Sequence, residues 1–223
     1  RMSIFQNMGW FAPAIVMVAQ GERSFCNWDE DTLTMAVEAS RDCLRGINKS
    51  DVDAHFLCST TLPFADRSYA GVVKTALNLQ DNMLTADFTT SLKCGTSALI
   101  SAFDAVKGGE RRKVLVTASD KREARAAYFY EMWFGDGAAS FLVGDQDVIA
   151  EFKGSFSVAH DFVDHYRGSM NKYDYMWEER WVRDMGYSKI IPEAVEGLFN
   201  KLSISMEDVD TLVFPCFFKA EHW

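Results

Sequence analysis

The chain has 223 residues, 48% of them hydrophobic, and a formal net charge of −9. That length supports a real core in one large domain or two small ones. The acidic balance and scattered basic residues exclude a phosphate-backbone partner, because nucleic-acid binding needs a basic stripe.

Five cysteines without a CxxC pair write neither a zinc ribbon nor a disulfide framework, so a reducing cytoplasm is the expected setting. No signal peptide is expected from the opening residues. The first apolar stretch carries Gln6, Asn7 and Gln20 and is too short for a bilayer, so neither a membrane partner nor a transmembrane anchor is expected.

From Ser3 to Gln20, Ile4, Met8, Phe11, Ile15 and Val18 recur at helical spacing, with Pro13 as a bend and Gly21 as a stop. Trp28-Asp29-Glu30-Asp31-Thr32 supplies acidic start chemistry for a second helix lined by Leu33, Ala36, Val37 and Leu44. Ala54 to Cys58 reads as a short buried strand, followed by the Ser59-Thr60-Thr61-Leu62-Pro63 loop and a helix from Arg67 to Leu79. Met83 to Phe88 reads as the next strand.

Thr89 to Ala98 is a small-residue elbow between that strand and a helix over Ser97 to Lys107. A helix N-terminus favours a thiolate, which makes Cys94 a candidate nucleophile, with a buried structural thiol as the alternative. After the basic turn Arg111-Arg112-Lys113, Val114 to Thr117 is another apolar strand. Strands alternating with helices at this spacing imply a largely parallel, helix-covered sheet.

Phe134-Gly135-Asp136-Gly137-Ala138 permits a tight turn and a close backbone approach before a strand, which is not a dinucleotide fingerprint. Val148 to Val158 is expected to pair with that strand across Asp145-Gln146-Asp147. Asp161 to Trp181 reads as an inserted cover. Within and beside it, His160-Asp161 and Asp164-His165 are either charge-assisted pairs, a metal site or solvated residues. Tyr166, Tyr173, Tyr175, Trp177 and Trp181 either wall a pocket for an aromatic or bulky ligand or pack the insertion. A helix from Ile191 to Leu202 and a strand from Thr211 to Phe214 close the reading. Helix, then Ser50-Asp51-Val52-Asp53, then strand is echoed by helix, then Glu207-Asp208-Val209-Asp210, then strand, which hints at an internal duplication.

These residues together resemble the thiolase superfamily, most nearly the 3-hydroxy-3-methylglutaryl-CoA synthases and ketoacyl synthase III-like proteins. The resemblance rests on Trp28-Asp29-Glu30-Asp31-Thr32, Gly95-Thr96-Ser97-Ala98-Leu99, Phe134 to Ala139, and Ile149-Ala150-Glu151 leading to Asp164-His165-Tyr166-Arg167, in that order. It implies an α/β, thiolase-like fold of layered α-β-α-β-α form with duplicated halves. The halves would be 1–147, lacking a first strand, and 148–223, the start of the second, so the fold is expected to be incomplete at both ends. The abrupt apolar ends fit that expectation.

The resemblance further implies a coenzyme A thioester as substrate with no metal in the chain. Its implied function is carbon–carbon bond formation or cleavage. The implied partners are a second copy or a thiolase-like heterodimer subunit, with a zinc-ribbon/OB-type accessory subunit as relatives often have. The family elbow reads Cys-x-x-Gly-Thr, so anchoring on Gly95-Thr96 puts Leu92 at the nucleophile position. Cys94 then lies two residues late, about 200° round the helix. Thr60 falls in the loop where the synthases carry a glutamate, and Phe214-Pro215-Cys216 stands where they carry Phe-His. Cys216 reads as a core residue of the last strand, or as facing Cys94 across a cleft. His222 is a candidate stand-in for the missing histidine. Lys219, with Gly135 and Gly137, is assigned to cofactor binding by the resemblance, and Arg111 to Lys113 is a solvated turn or a 3′-phosphate site. A hydrocarbon at position 92 cannot attack a thioester. The expectation is therefore either part of an acyltransferase or a subunit that has lost its chemistry and supports an active homologue.

Overall fold

The computed structural model describes residues 1–8, 16, 20–126 and 128–214. The chain divides into two compact units. The first holds the described residues up to Arg122 and those from Tyr128 to Glu151, and the second holds Glu123–Ala126 and the described residues from Phe152 on.

The first unit contains α1 (Met2–Met8), α2 (Thr32–Cys43), β1 (Ala54–Cys58), α3 (Tyr69–Ala76), β2 (Leu84–Phe88), α4 (Cys94–Lys107), β3 (Lys113–Asp120), α5 (Phe129–Trp133) and β4 (Gly137–Gly144). The sheet order is β2-β1-β3-β4, with β1 parallel to both β2 and β3 and β4 antiparallel to β3. Each parallel crossover carries a helix, as parallel pairing requires.

Side-chain alternation splits the strands between two cores. On one face Leu57 and Leu115 meet Ala36 of α2 and Val73 of α3; on the other Phe56, Val114 and Val116 meet Ala98 and Ala102 of α4. The alanines let α4 lie close on the sheet. Because β1 is covered on both faces, all five of its residues are buried.

Starts and stops follow local chemistry. Asp31 caps α2 by accepting from the backbone N–H groups of Leu33 (2.9 Å) and Thr34 (2.8 Å), and Thr34 returns the contact to the Asp31 backbone. Asp87 of β2 accepts from the first N–H groups of α3, at Tyr69 (2.8 Å) and Ala70 (2.6 Å). One polar network runs through the core beneath α2. Thr117 Oγ1 lies 2.8 Å from Ser40 Oγ, 3.0 Å from Ser140 Oγ and 3.2 Å from His55 Nε2, while His55 Nδ1 lies 3.1 Å from the Ala70 carbonyl. A carbonyl can only accept, so Nδ1 carries the proton and Nε2 accepts from Thr117.

The second unit contains a two-residue hairpin, β5 (His165–Tyr166) with β6 (Tyr175–Met176), then α6 (Glu179–Trp181), a π-helical segment (Val182–Tyr187) and α7 (Ser188–Leu202). Phe162 lies against Gly186, where a Cβ would come within 2.2 Å of the ring. The turn after α7 passes through Ser203 in the left-handed region and a short 3₁₀ helix over Met206–Asp208, matching the Lys49–Asp51 3₁₀ turn that follows α2.

Two expected strands do not form. Val148 to Val158 is irregular and does not pair with β4; Val148 and Ile149 stand in solvent. Thr211 to Phe214 is likewise irregular, with Leu212 and Val213 exposed. Apolar alternation alone does not make a strand, since the backbone groups also need a neighbouring strand. Among the described residues neither segment has one. The Pro13 bend lies outside the described residues. Among those that are described, no helix is long and apolar enough to cross a membrane.

Candidate functional site at the carboxyl edge of the sheet

The parallel strands β1, β2 and β3 end on one edge of the sheet, at Cys58, Phe88 and Asp120. The carboxyl edge is where open α/β sheets receive ligands. The elbow leaves β2 there. Thr90 takes a φ of +65°, an uncommon conformation for a β-branched residue and a local strain. Cys94 N donates to the Ser91 carbonyl at 3.0 Å, and the helical ladder begins with Ser97 N to the Lys93 carbonyl at 3.0 Å. Lys93, at the cap position, offers no side-chain acceptor to the first turn of α4.

The elbow separates its two candidate residues. Leu92 is 50% exposed, whereas Cys94 is 7% exposed and packs in the core with Cys58, Ala98 and Val116. Burial pushes the Cys94 thiol above its ordinary range and the Asp120 charge adds to that, against a smaller opposing effect of the Gly95 and Cys94 backbone N–H groups. Cys58 is pushed up to about 12 by burial, with Cys94, Asp120 and Asp87 adding to it. Both sulfurs therefore stay as thiols at neutral pH, and a thiol is a poor nucleophile.

Beside the elbow, the loop after β1 is gathered onto a single carboxylate oxygen. Asp120 Oδ1 accepts from Ser59 Oγ at 3.0 Å, Thr60 N at 2.8 Å, Thr60 Oγ1 at 3.1 Å and Thr61 Oγ1 at 2.8 Å. Thr60 Oγ1 also accepts from Arg122 Nη1 at 2.6 Å. Ser59 N donates to the Phe88 carbonyl at 3.1 Å, which ties this loop to the start of the elbow. The Thr60 hydroxyl is thus engaged in both directions. Neither Asp120 nor Arg122 stood out in the sequence. The available signal was a carboxylate at the end of a parallel strand, hidden because the apolar run stops at Thr117.

The glycine turn has a structural partner. A Cβ on Gly135 would lie 2.8 Å from Ser24 Oγ, and the next residue joins the same segment: Asp136 N donates to the Ser24 carbonyl at 3.2 Å, and Cys26 N donates to Asp136 Oδ2 at 3.1 Å. Gly137 opens β4 with no atom within 4 Å of where its Cβ would stand. Arg111 to Lys113 lies at the opposite edge of the sheet, where Lys113 pairs with Asp51 at 3.2 Å and Arg112 with Asp53 at 3.8 Å. That placement removes the turn from the elbow. Lys219, His222 and Cys216 lie outside the described residues.

In the second unit, Asp164 Oδ1 lies 2.7 Å from His165 Nδ1, and Asp164 Oδ2 accepts from the Tyr187 hydroxyl at 2.5 Å. Burial works to raise the Asp164 carboxyl, but the contacts with His165 and Tyr187 outweigh it and hold the carboxyl below its ordinary value. His160 pairs with Glu193 at 2.9 Å on the surface. The rings of Phe162, Trp181 and Trp177 follow one another at centroid spacings of 4.5 and 5.2 Å. Among the described residues no group of three metal-ligating side chains converges.

Comparison with known proteins meets this geometry at the level of fold and sequence. The chain is 30% identical over 188 residues to a hydroxymethylglutaryl-CoA synthase of Caldivirga maquilingensis, matching 83% of this chain and 54% of that one. It is 31% identical over 195 residues to the corresponding protein of Archaeoglobus fulgidus, matching 86% of this chain and 56% of that one. The chain is thiolase-like and resembles hydroxymethylglutaryl-CoA synthase. Among solved structures, MvaS in complex with 3-hydroxy-3-methylglutaryl coenzyme A superposes with a TM-score of 0.78 at 21% identity, covering 94% of this chain and 52% of that one. A 3-oxoacyl-(acyl-carrier-protein) synthase III superposes with a TM-score of 0.71 at 18% identity, covering 93% and 71%. No family model matches the chain. This thiolase-like chain spans about half the length of the curated relatives it matches.

Proposed function

We propose that the chain is a thiolase-superfamily subunit that binds an acyl-CoA and works as part of a C-acyltransferase, in a complex whose homologous partner supplies the nucleophile. The observation that carries this reading is the exposed Leu92 at the elbow with Cys94 turned into the core. An acyl-enzyme route needs a thiolate within reach of the thioester carbonyl. Leu92 has no lone pair, and Cys94 is a buried thiol. Thr60, in the loop where the resemblance places a carboxylic acid, is held by Asp120 and Arg122 and has no acidic proton to exchange near neutral pH. What the chain keeps is the strained elbow and the ordered loop beside it. Solved relatives of the same fold hold 3-hydroxy-3-methylglutaryl coenzyme A or CoA, which supports a CoA thioester as the ligand.

A second reading is a degenerate scaffold that binds no thioester and only supports an active homologue. Leu92 and the immobilised Thr60 are compatible with it. Calorimetric titration with acetoacetyl-CoA, followed by an acyl-transfer assay with and without the homologous subunit co-purified from the native host, separates the two. The first reading predicts binding by the isolated chain and transfer only in the complex. Transfer by the isolated chain overturns it, and a lack of binding leaves the scaffold.

A further inference from the structure

We propose that the amino edge of the sheet holds a second ligand site, in which Arg111 and Arg112 bind the phosphate of a free phosphate monoester of mononucleotide size. The inference goes beyond the acyl-CoA reading and does not depend on it.

A cavity of about 560 Å³ opens where the loops that lead into β1, β2 and β3 meet, a volume within the range of small-molecule sites. Its lining includes Asp53, Asn82, Met83, Leu84, Arg111 and Arg112. The turn that carries the two arginines is fixed from both sides. Gly108 N and Gly109 N donate to the Asp104 and Val106 carbonyls at 2.8 and 3.0 Å, and Arg111 N donates to the Ala105 carbonyl at 3.3 Å. On the other side Asp53 accepts from Arg112 N at 2.9 Å and from Lys113 N at 3.3 Å.

The other charges at this edge have partners. Lys49 donates to the Leu77 carbonyl at 2.7 Å, Lys113 pairs with Asp51 at 3.2 Å, and Lys74 pairs with Asp81, which also lines the cavity. The arginines are matched less well. Arg112 Nε comes only within 3.8 Å of Asp53, and the half-buried Arg111 side chain makes neither a hydrogen bond nor an ion pair among the described residues. In a chain of net charge −9 this pair is not part of a general basic surface. Two adjacent guanidinium groups suit the oxygens of one phosphate, and their charge strengthens the hydrogen bonds they make to it. Asn82 supplies an amide, and Met83 and Leu84 an apolar wall, for the rest of the ligand.

A free nucleotide and the 3′-phosphate of CoA both carry a phosphate monoester. Position favours the free nucleotide. The elbow leaves the opposite edge, and α2 and α3 on one face and α4 on the other cover the sheet between the two edges. A thioester seated at the elbow therefore does not bring its phosphate to Arg111.

Calorimetric titration with 5′-AMP and adenosine, on the wild type and on Arg111→Gln, Arg111→Lys and Arg41→Gln, tests this. The wild type is expected to bind 5′-AMP at least about tenfold more tightly than adenosine, the scale of one charge-assisted hydrogen bond. Arg111→Gln should lose about tenfold in 5′-AMP affinity while adenosine binding holds, and Arg111→Lys should lose less. Arg41→Gln removes the same charge from the exposed Arg41–Glu38 pair on α2 and should change neither. Thermal unfolding of each variant confirms that it is folded. Saturating acetoacetyl-CoA should leave 5′-AMP affinity unchanged. A wild type that binds no 5′-AMP, or binds 5′-AMP and adenosine equally, overturns the proposal, as does an Arg41→Gln loss equal to that of Arg111→Gln. So does displacement of 5′-AMP by acetoacetyl-CoA that disappears with 3′-dephospho-acetoacetyl-CoA, which assigns the arginines to the 3′-phosphate of CoA. Failure of acetoacetyl-CoA to bind at all overturns the acyl-CoA reading and leaves the nucleotide result standing on its own.

Discussion

Acid should weaken this protein through His55. The imidazole is fully buried between β1, α3 and the Thr117 hydroxyl, and burial lowers its pKa from the ordinary 6.5 to about 4, against smaller raising effects of the Ala70 carbonyl and Asp87. Because the folded value lies below the unfolded one, the unfolded chain takes up the proton first. Stability is therefore complete above about pH 6.5 and falls as the pH drops towards 4. A gap of about 2.5, at 1.36 kcal/mol for each tenfold change in proton affinity, amounts to roughly 3 kcal/mol. That is a large part of the 5–15 kcal/mol by which domains are typically stable.

Protonation also breaks the network. Nε2 becomes a donor, and Thr117 Oγ1 must turn its own proton towards Ser40 or Ser140. Urea unfolding of the wild type and of His55→Gln, from pH 4 to 8, isolates the effect from that of the carboxylates. Their difference in unfolding free energy should change by roughly 3 kcal/mol across that range, with the wild type losing ground on the acid side. A constant difference, or a His55 resonance titrating near its ordinary value in the folded protein, would refute the reasoning.

Other expectations follow from the same contacts. Asp120→Ala strands the donors of Ser59, Thr60 and Thr61 and should cost about 3 kcal/mol in denaturant unfolding, with Asp120→Asn costing less because the carbonyl still accepts. Asp31→Ala removes the cap of α2 and should cost about 1 kcal/mol by the same measurement. Iodoacetamide at neutral pH should leave Cys58 and Cys94 unmodified in the folded chain and reach both after unfolding, read by peptide mass spectrometry; rapid native labelling of Cys94 would contradict its burial.

Much of the first unit was legible from periodicity. The runs at Ala54–Cys58, Met83–Phe88 and Val114–Thr117 are strands, and the helices between them cover the sheet. Two residues of helix separate Leu92 from Cys94 by about 200°, and in the fold the first is exposed and the second buried. α4 begins at Cys94, three residues before the Ser97 start that the pattern predicts, with the Cys94 side chain packed in the core. Long-range polar chemistry was not legible. Asp120 organises a loop some sixty residues away in sequence, and nothing local to either segment announces the pairing. The sequence gives Gly135 a close backbone approach without naming the neighbour, which in the fold is Ser24. The failed strands at 148–158 and 211–214 show the same limit: pattern proposes a strand, but a neighbour's hydrogen bonds decide it.

The central claim is that the elbow retains its frame while presenting leucine where a nucleophile would stand. Intact-protein mass spectrometry after incubation with acetyl-CoA tests it most directly, on the wild type and on Leu92→Cys. The wild type should carry no acyl group, and Leu92→Cys should gain one acetyl group at the new thiol. An acetyl thioester on Cys94 of the wild type would contradict the account.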